Sequence, residues 1–311
     1  MRTSFAAWLL LLALIVLTAP VVVEAQAHIA FTRDYEIRIM REDGTIFPDP
    51  LTEPAPDLDF RPSICPSGLY IYFDRSSGGQ SDIWKIGSDG TGLTQITDTP
   101  SVNEEDPYCG SNGLFTYILF RSNEDDPLGD IYRMDLNGSN SVRLTQDNDP
   151  FFEDRDPAWC GTNQVVFTRY DGHDYEIFIM DLQDGGNLEQ ITDNYEHNGF
   201  PIIDEQPVCS SNGQLIAFSR TEESNYVDIW TLDRNTQTET NRTENIWEYG
   251  WELFPTFSPG GNWIAFRHFG DTVDDEGIYK LSLSPIDPKL IRLTNDPEPE
   301  FDLFPDWGEL D

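Results

Sequence analysis

The chain has 311 residues, 38% of them hydrophobic and 13% aromatic, which is enough to bury a large core and excludes a chain disordered by composition. Its 56 acidic and 19 basic residues give a formal net charge of −37, a field that repels phosphate backbones and anionic bilayers, so nucleic-acid binding is excluded as a reading. Lysine is confined to Lys85, Lys280 and Lys289.

The N-terminus has the pattern of an export signal. Arg2 precedes an apolar run from Phe5 to Thr18, Pro20 ends it, and Ala25-Gln26-Ala27 is a small-x-small cleavage pattern. Residues 1–27 are therefore expected to be a signal peptide and 28–311 the mature domain. An uncleaved anchor is the alternative, because the run is close to spanning length. The expected location is periplasmic or extracellular.

From there a unit of about fifty residues repeats, and a period of that size decides the fold before any local reading. Its anchors are Pro62, Pro107, Pro157, Pro207, Pro255 and Pro305, spaced 45, 50, 50, 48 and 50 residues apart. Each unit reads as four strands. The first ends at the anchor. A polar turn follows, then a second, apolar strand such as Phe115 to Phe120 or Trp263 to Phe266. The third alternates apolar and polar residues, as in Asp82 to Ile86 and Asp130 to Met134, the period of a half-buried strand. Glycine turns at Asp89-Gly90, Asn137-Gly138 and Asp184-Gly185 lead into a fourth strand that ends in Ile-Thr or Leu-Thr.

The two ends are complementary. His28 to Arg33 and Glu36 to Arg41 match a second and a third strand with no first strand before them, while Asp302 to Gly308 is a first strand with nothing after it. Pairing them predicts an all-β, six-bladed β-propeller of four-stranded antiparallel blades, one blade closed by the N- and C-terminal segments, with no exposed sheet edge. A monomer is expected.

The run Pro255-Thr-Phe-Ser-Pro-Gly-Gly261 followed by Trp263-Ile-Ala-Phe266, with Asp-Ile-Tyr and Leu-Thr in the neighbouring units, resembles the TolB-like propeller repeat. The resemblance covers essentially the whole mature chain. It implies an exported propeller that binds proteins, ligands or glycans through its faces. TolB proper carries an α/β domain before its propeller, and here the repeats begin directly after the signal-like segment, which puts a role in the Tol–Pal envelope system in doubt. Peptidases of the prolyl oligopeptidase type carry a related propeller, but this sequence has no Gly-x-Ser-x-Gly nucleophile elbow.

The most regular polar feature is an acid three residues before each anchor: Asp59, Glu104, Asp154, Asp204, Glu252 and Asp302. On innermost strands these are expected to ring the channel. They either lock the blades by accepting backbone N–H bonds from the next one, or form a cation site, for which calcium suits carboxylate oxygens, or a mouth that captures a basic peptide; Glu105, Asp106, Glu153, Asp156 and Glu205 cluster nearby and strengthen the field. Otherwise no cofactor is expected. Arginines follow each second strand (Arg33, Arg75, Arg121, Arg169, Arg220, Arg267), and an acid opens or precedes each third (Glu36, Asp82, Asp130, Glu176, Asp228, Glu276), predicting a cross-strand ion pair in every blade.

Cys65, Cys109, Cys160 and Cys209 sit at the anchors of different units, and buried free thiols are expected over two disulfides because equivalent positions should lie too far apart. Trp159, Trp251, Phe254, Phe304 and Trp307 fall near the channel, where core packing competes with ligand stacking, and Trp247, Tyr249 and Trp251 crowd one loop. The expected function is an exported, non-catalytic binding or scaffold propeller that recognises a protein, cationic or carbohydrate-type ligand at an acidic channel face. The alternative is a secreted propeller hydrolase or lyase using a metal or paired carboxylates in the channel.

Overall fold

The computed structural model describes residues 26–310, apart from 54–55, 147–150, 195, 198–199, 224–225, 245, 248–249, 271–274 and 295–301. The signal-like segment up to Ala25, and Tyr249, lie outside the described residues.

Among the described residues there is no helix, and the chain is an all-β propeller of four-stranded antiparallel blades. One blade is Leu58–Ile64, Tyr70–Ser77, Gln80–Gly87 and Thr94–Gln95. The next is Glu104–Ser111, Thr116–Ser122, Asp130–Asp135 and Val142–Arg143, and a third is Glu153–Cys160, Gln164–Tyr170, Tyr175–Asp181 and Glu189–Gln190. Two further antiparallel sets, starting at Ile203–Cys209 and at Trp251–Phe257, are joined into one eight-stranded sheet by a single parallel bridge, Val227 to Trp251. The C-terminal strand Asp302–Leu310 pairs with Gln26–Arg33, which pairs in turn with Glu36–Arg41. The tail therefore anneals to the head of the described chain.

The core lies between neighbouring sheets. The second-strand phenylalanines Phe31, Phe73, Phe120, Phe167, Phe218 and Phe266 are all buried, and burying each contributes about 2–3 kcal/mol. Ile29, Phe31 and Met40 of the N-terminal strands pack against Ala265, Ile278 and Trp307, so the closing sheet shares its core with the preceding blade. The fourth-strand threonine has a repeated structural task. The hydroxyls of Thr52, Thr97, Thr145, Thr192, Thr243 and Thr294 accept the N–H of Ile37, Ile83, Ile131, Ile177, Ile229 and Ile278 at 2.8–3.0 Å. Gly138 is required twice over. Its φ is +84°, and a Cβ there would sit 2.5 Å from the carbonyl oxygen of Ile96 in the preceding blade.

The anchor proline does not end the first strand; it sits inside it, at a bulge. Register shifts fall between Phe60 and Ser63, Glu105 and Tyr108, Arg155 and Ala158, Glu205 and Val208, and Leu253 and Thr256. Proline has no N–H for the ladder, so a bulge is where an inner strand tolerates it. The residue before each proline is left-handed: Arg61, Asp106, Asp156, Gln206, Phe254 and Phe304 have φ between 48° and 57°.

The cysteines form two disulfides, Cys65–Cys109 and Cys160–Cys209, with Cα–Cα distances of 5.0 and 5.1 Å, which corrects the expectation of free thiols. First strands converge toward the axis. One partner lies three residues after its proline and the other two, and that stagger brings neighbouring blades within bridging distance. Loops of 44 and 49 residues are closed, each worth about 4 kcal/mol in the chain-entropy account. Reduction, or Cys160→Ser with Cys209→Ser, should lower the thermal midpoint by roughly 5–15 °C. An unchanged midpoint on a verified reduced sample would show that the bridges constrain nothing.

Candidate functional site

The six acids expected to ring the channel are buried inside the blades, and none lines the axial space. Four are held bidentate by an arginine directly opposite on the second strand, with Nε to carboxylate distances of 2.6 Å: Arg33 on Asp302, Arg75 on Asp59, Arg169 on Asp154 and Arg220 on Asp204. Arginine's partner is thus the first-strand acid rather than the third-strand acid. Three third-strand acids instead accept from the threonine hydroxyls: Asp130 from Thr145 at 3.1 Å, Asp228 from Thr243 at 2.6 Å, and Glu176 from Thr192. Of the predicted pairs to the third strand, Arg267–Glu276 forms, at 3.1 Å.

Two blades depart from the arginine rule, and the cause is one residue of register. Four second strands read Phe-x-Arg, as in Phe73-Asp74-Arg75, whereas two read Phe-Arg-x, namely Phe120-Arg121-Ser122 and Phe266-Arg267-His268. Side chains alternate along a strand, so that shift turns the guanidinium to the other face. Ser122 then stands opposite Glu104, and His268 opposite Glu252. Arg121 reaches Glu105 instead, at 2.7 Å. His268 is fully buried, with Nδ1 2.7 Å from Glu252 and Trp247 stacked on its ring at 3.9 Å. Burial pushes Glu252 up to about 9, helped by the Asp228 charge, and burial lowers His268 to about 4. Burial thus disfavours charge on both partners of this contact.

The axial space is lined by the bulges. Its wall comprises the left-handed residue, the proline and the next residue of each first strand, and it encloses about 120 Å³. Interblade bonds fix it. The Asp306 carboxylate accepts the Ile64 N–H at 2.6 Å, Ser63 accepts that of Cys109 at 3.0 Å, and the Gln206 side-chain oxygen accepts that of Phe254 at 2.9 Å. A second space of about 390 Å³, bordered by Cys65, Cys109 and Cys209, lies beyond Ser63, Tyr108 and Asp306, which line both.

The left-handed residues divide the mouth in two. Arg61, Asp106 and Asp156 form a charged arc, with Arg61 2.7 Å from Asp106 and 3.8 Å from the buried Asp74. Beside it a ladder of alternating charge crosses three blades: Glu105–Arg121, Arg121–Glu153 at 3.6 Å, and Arg155–Glu205. Opposite stand Phe254 and Phe304, with ring centroids 4.3 Å apart, continued by Phe60 and the exposed Tyr35. Arg61 lies over the Phe304 ring at 5.0 Å and joins the halves. Burial pushes Asp156 up to about 7, with the Asp106 charge adding to the shift, and burial pushes Asp306 up to about 6.

Sequence spacing placed Phe254 and Phe304 near the channel and put Asp106 and Asp156 beside it as additions to its field, but missed Arg61 and Gln206. The usable signal was the position before each proline. Trp159 and Trp307 are buried, and Trp251 is exposed. Among the described residues no three His, Cys, Asp or Glu side chains converge as a metal centre would.

No protein-family model matches this sequence, and no curated protein matches it. Solved structures do. TolB from Acinetobacter baumannii superimposes with a TM-score of 0.67 at 19% identity over 91% of this chain, which spans about two thirds of that protein, 66%. The fold is that of a TolB-like β-propeller. Putative TolB from Agrobacterium tumefaciens matches with a TM-score of 0.61 at 14% identity, covering 92% of this propeller and 99% of that chain. Oligogalacturonate lyase from Vibrio parahaemolyticus matches with 0.53 at 12% identity, covering 86% of this propeller and 73% of that chain.

Many buried carboxyls shift the same way: Glu252 to about 9, Glu176 to about 8, Glu104 and Asp156 to about 7, and Asp130 to about 6, burial being the first cause in each. A carboxyl whose folded pKa is raised contributes stability below its unfolded pKa and loses it as pH climbs through the folded value. His268, lowered to about 4, acts oppositely and is lost between about 6.5 and 4. Denaturant melts should therefore show greatest stability near pH 5 and a steady fall toward pH 9, flattened by Glu252→Gln. A stability that rises between pH 6 and 9 would contradict these assignments.

Proposed function

We propose that this chain is an exported, non-catalytic binding propeller of six blades, whose channel mouth takes a protein segment presenting a basic group beside an apolar one. The observation that carries the reading is the divided mouth: acids Asp106 and Asp156 on one side, Phe254 and Phe304 on the other, within one axial wall. A cation gains from the acidic arc, and an apolar side chain or sugar face gains from the ring pair. Support for six blades comes from the six left-handed pre-proline residues, which all border that space. The export reading, with residues 1–27 as signal and a monomeric mature domain, rests on the sequence pattern and on the likeness to TolB. Among the described residues no helix is long and apolar enough to cross a membrane.

The test is calorimetric titration with short peptides containing a Lys-Phe pair, against Glu-Phe and Lys-Ser controls. Binding should require both groups, weaken as salt rises, and drop about tenfold or more in Phe304→Ala and in Asp156→Asn. Equal affinity for all three peptides, or no salt dependence, would sink the reading.

A second reading has one observation in its favour. Asp106 and Asp156 are neighbouring channel carboxylates, the Asp156 N–H approaching Asp106 at 3.5 Å, and Asp156 is pushed up to about 7, the range of a general acid at neutral pH. The lyase of similar fold makes a carbohydrate the substrate to try. Turnover of an acidic oligosaccharide, abolished by Asp156→Asn, would replace the binding reading with a secreted hydrolase or lyase.

A further inference from the structure

Four of the six first-strand acids carry a guanidinium and Glu252 carries a histidine, but Glu104 has neither. It is buried, with 3% of its surface exposed, and its Oε2 has no hydrogen-bond partner. Such an orphaned buried oxygen destabilises the fold unless something satisfies it. Its neighbours across the blade junction are oxygen donors. The Asp82 carboxyl lies within hydrogen-bonding reach, the Thr97 and Thr99 side chains border Glu104, and Glu124 and Asp98 add negative charge nearby. Gln80 fixes the rim, its Nε2 donating to the Thr99 carbonyl at 3.0 Å and to Asp82 at 3.4 Å. The second-strand arginine of the same blade, Arg121, is committed to Glu105 and the Leu128 carbonyl on the other face.

We propose that the junction between the strands Gln80–Gly87 and Glu104–Ser111 binds a hard divalent cation, calcium the best match, through the carboxylates of Asp82 and Glu104 and neutral oxygens around them. The ion takes the place that a guanidinium holds in the blades beginning at Leu58, Glu153, Ile203 and Asp302. Two carboxylates with hydroxyl and carbonyl oxygens suit calcium, which accepts six to eight oxygen ligands in irregular geometry, better than magnesium, which demands a regular octahedron. Neither histidine nor cysteine is among these residues, so a softer transition metal is not favoured. The site is interblade rather than axial, so it is independent of the mouth and stands or falls apart from the binding reading.

The experiment is thermal unfolding of the whole protein, first in chelator and then with free calcium, at pH 7.5 and constant ionic strength, for wild type, Glu104→Gln and Ser122→Arg. Ser122 faces Glu104 in the ladder, so Ser122→Arg recreates the pair used by the other blades. Wild type should gain about 5 °C with saturating calcium, and less with magnesium. Glu104→Gln should lose the gain. Ser122→Arg should be stabilised in chelator and indifferent to calcium. No gain in wild type, or a gain of equal size retained by either variant, which would mean screening of the −37 charge alone, overturns the proposal.

Discussion

The structure depends on charge being neutralised inside the blades. A carboxylate in the dry interior near the axis is tolerated only when a charged, hydrogen-bonding partner meets it, and a bidentate guanidinium is the best match in geometry. Where Arg33, Arg75, Arg169 and Arg220 grip the first strands, those strands are pinned just before the bulge. The bulge then aims a left-handed residue at the axis. The same pairing removes four acids from the surface field, so the electrostatics of the mouth are set by fewer groups than the composition suggests.

The repeated architecture separates structural positions from variable ones. The buried phenylalanine, the strand-capping threonine and the proline bulge recur in every blade and serve the scaffold. The pre-proline residue has a fixed conformation and an unfixed chemistry: arginine, two aspartates, glutamine and two phenylalanines. Uniform backbone with non-uniform side chains is where a repeat scaffold carries specificity. The disulfides clamp two pairs of adjacent blades beside the second space, which shares Ser63, Tyr108 and Asp306 with the axial one.

The period, the strand order within each unit and the pairing of the tail with the head were legible because each leaves a linear mark: prolines at even intervals, alternation of two, and two incomplete units that complement each other. The site was less legible. Treating Pro62 and its equivalents as strand ends hid the bulge, so the acids three residues upstream passed for the channel ring, Asp106 and Asp156 for additions to its field, and Arg61 went unnoticed. The offset of Arg121 and Arg267 from Phe120 and Phe266 is present in the sequence, and strict alternation along the strand would have revealed it. The disulfides were not legible, since the distance between Cys160 and Cys209 depends on how closely the first strands converge.

Whether guanidinium–carboxylate locking holds the first strands is tested most directly by a double-mutant cycle on Asp154 and Arg169, using Asp154→Asn, Arg169→Met and the double variant in denaturant unfolding. The account predicts that each single change costs about 3–5 kcal/mol and that the pair couples by roughly 2 kcal/mol or more, the double variant recovering much of the loss. Simple additivity of the two single changes would show that the pair is incidental to the fold and contradict the account.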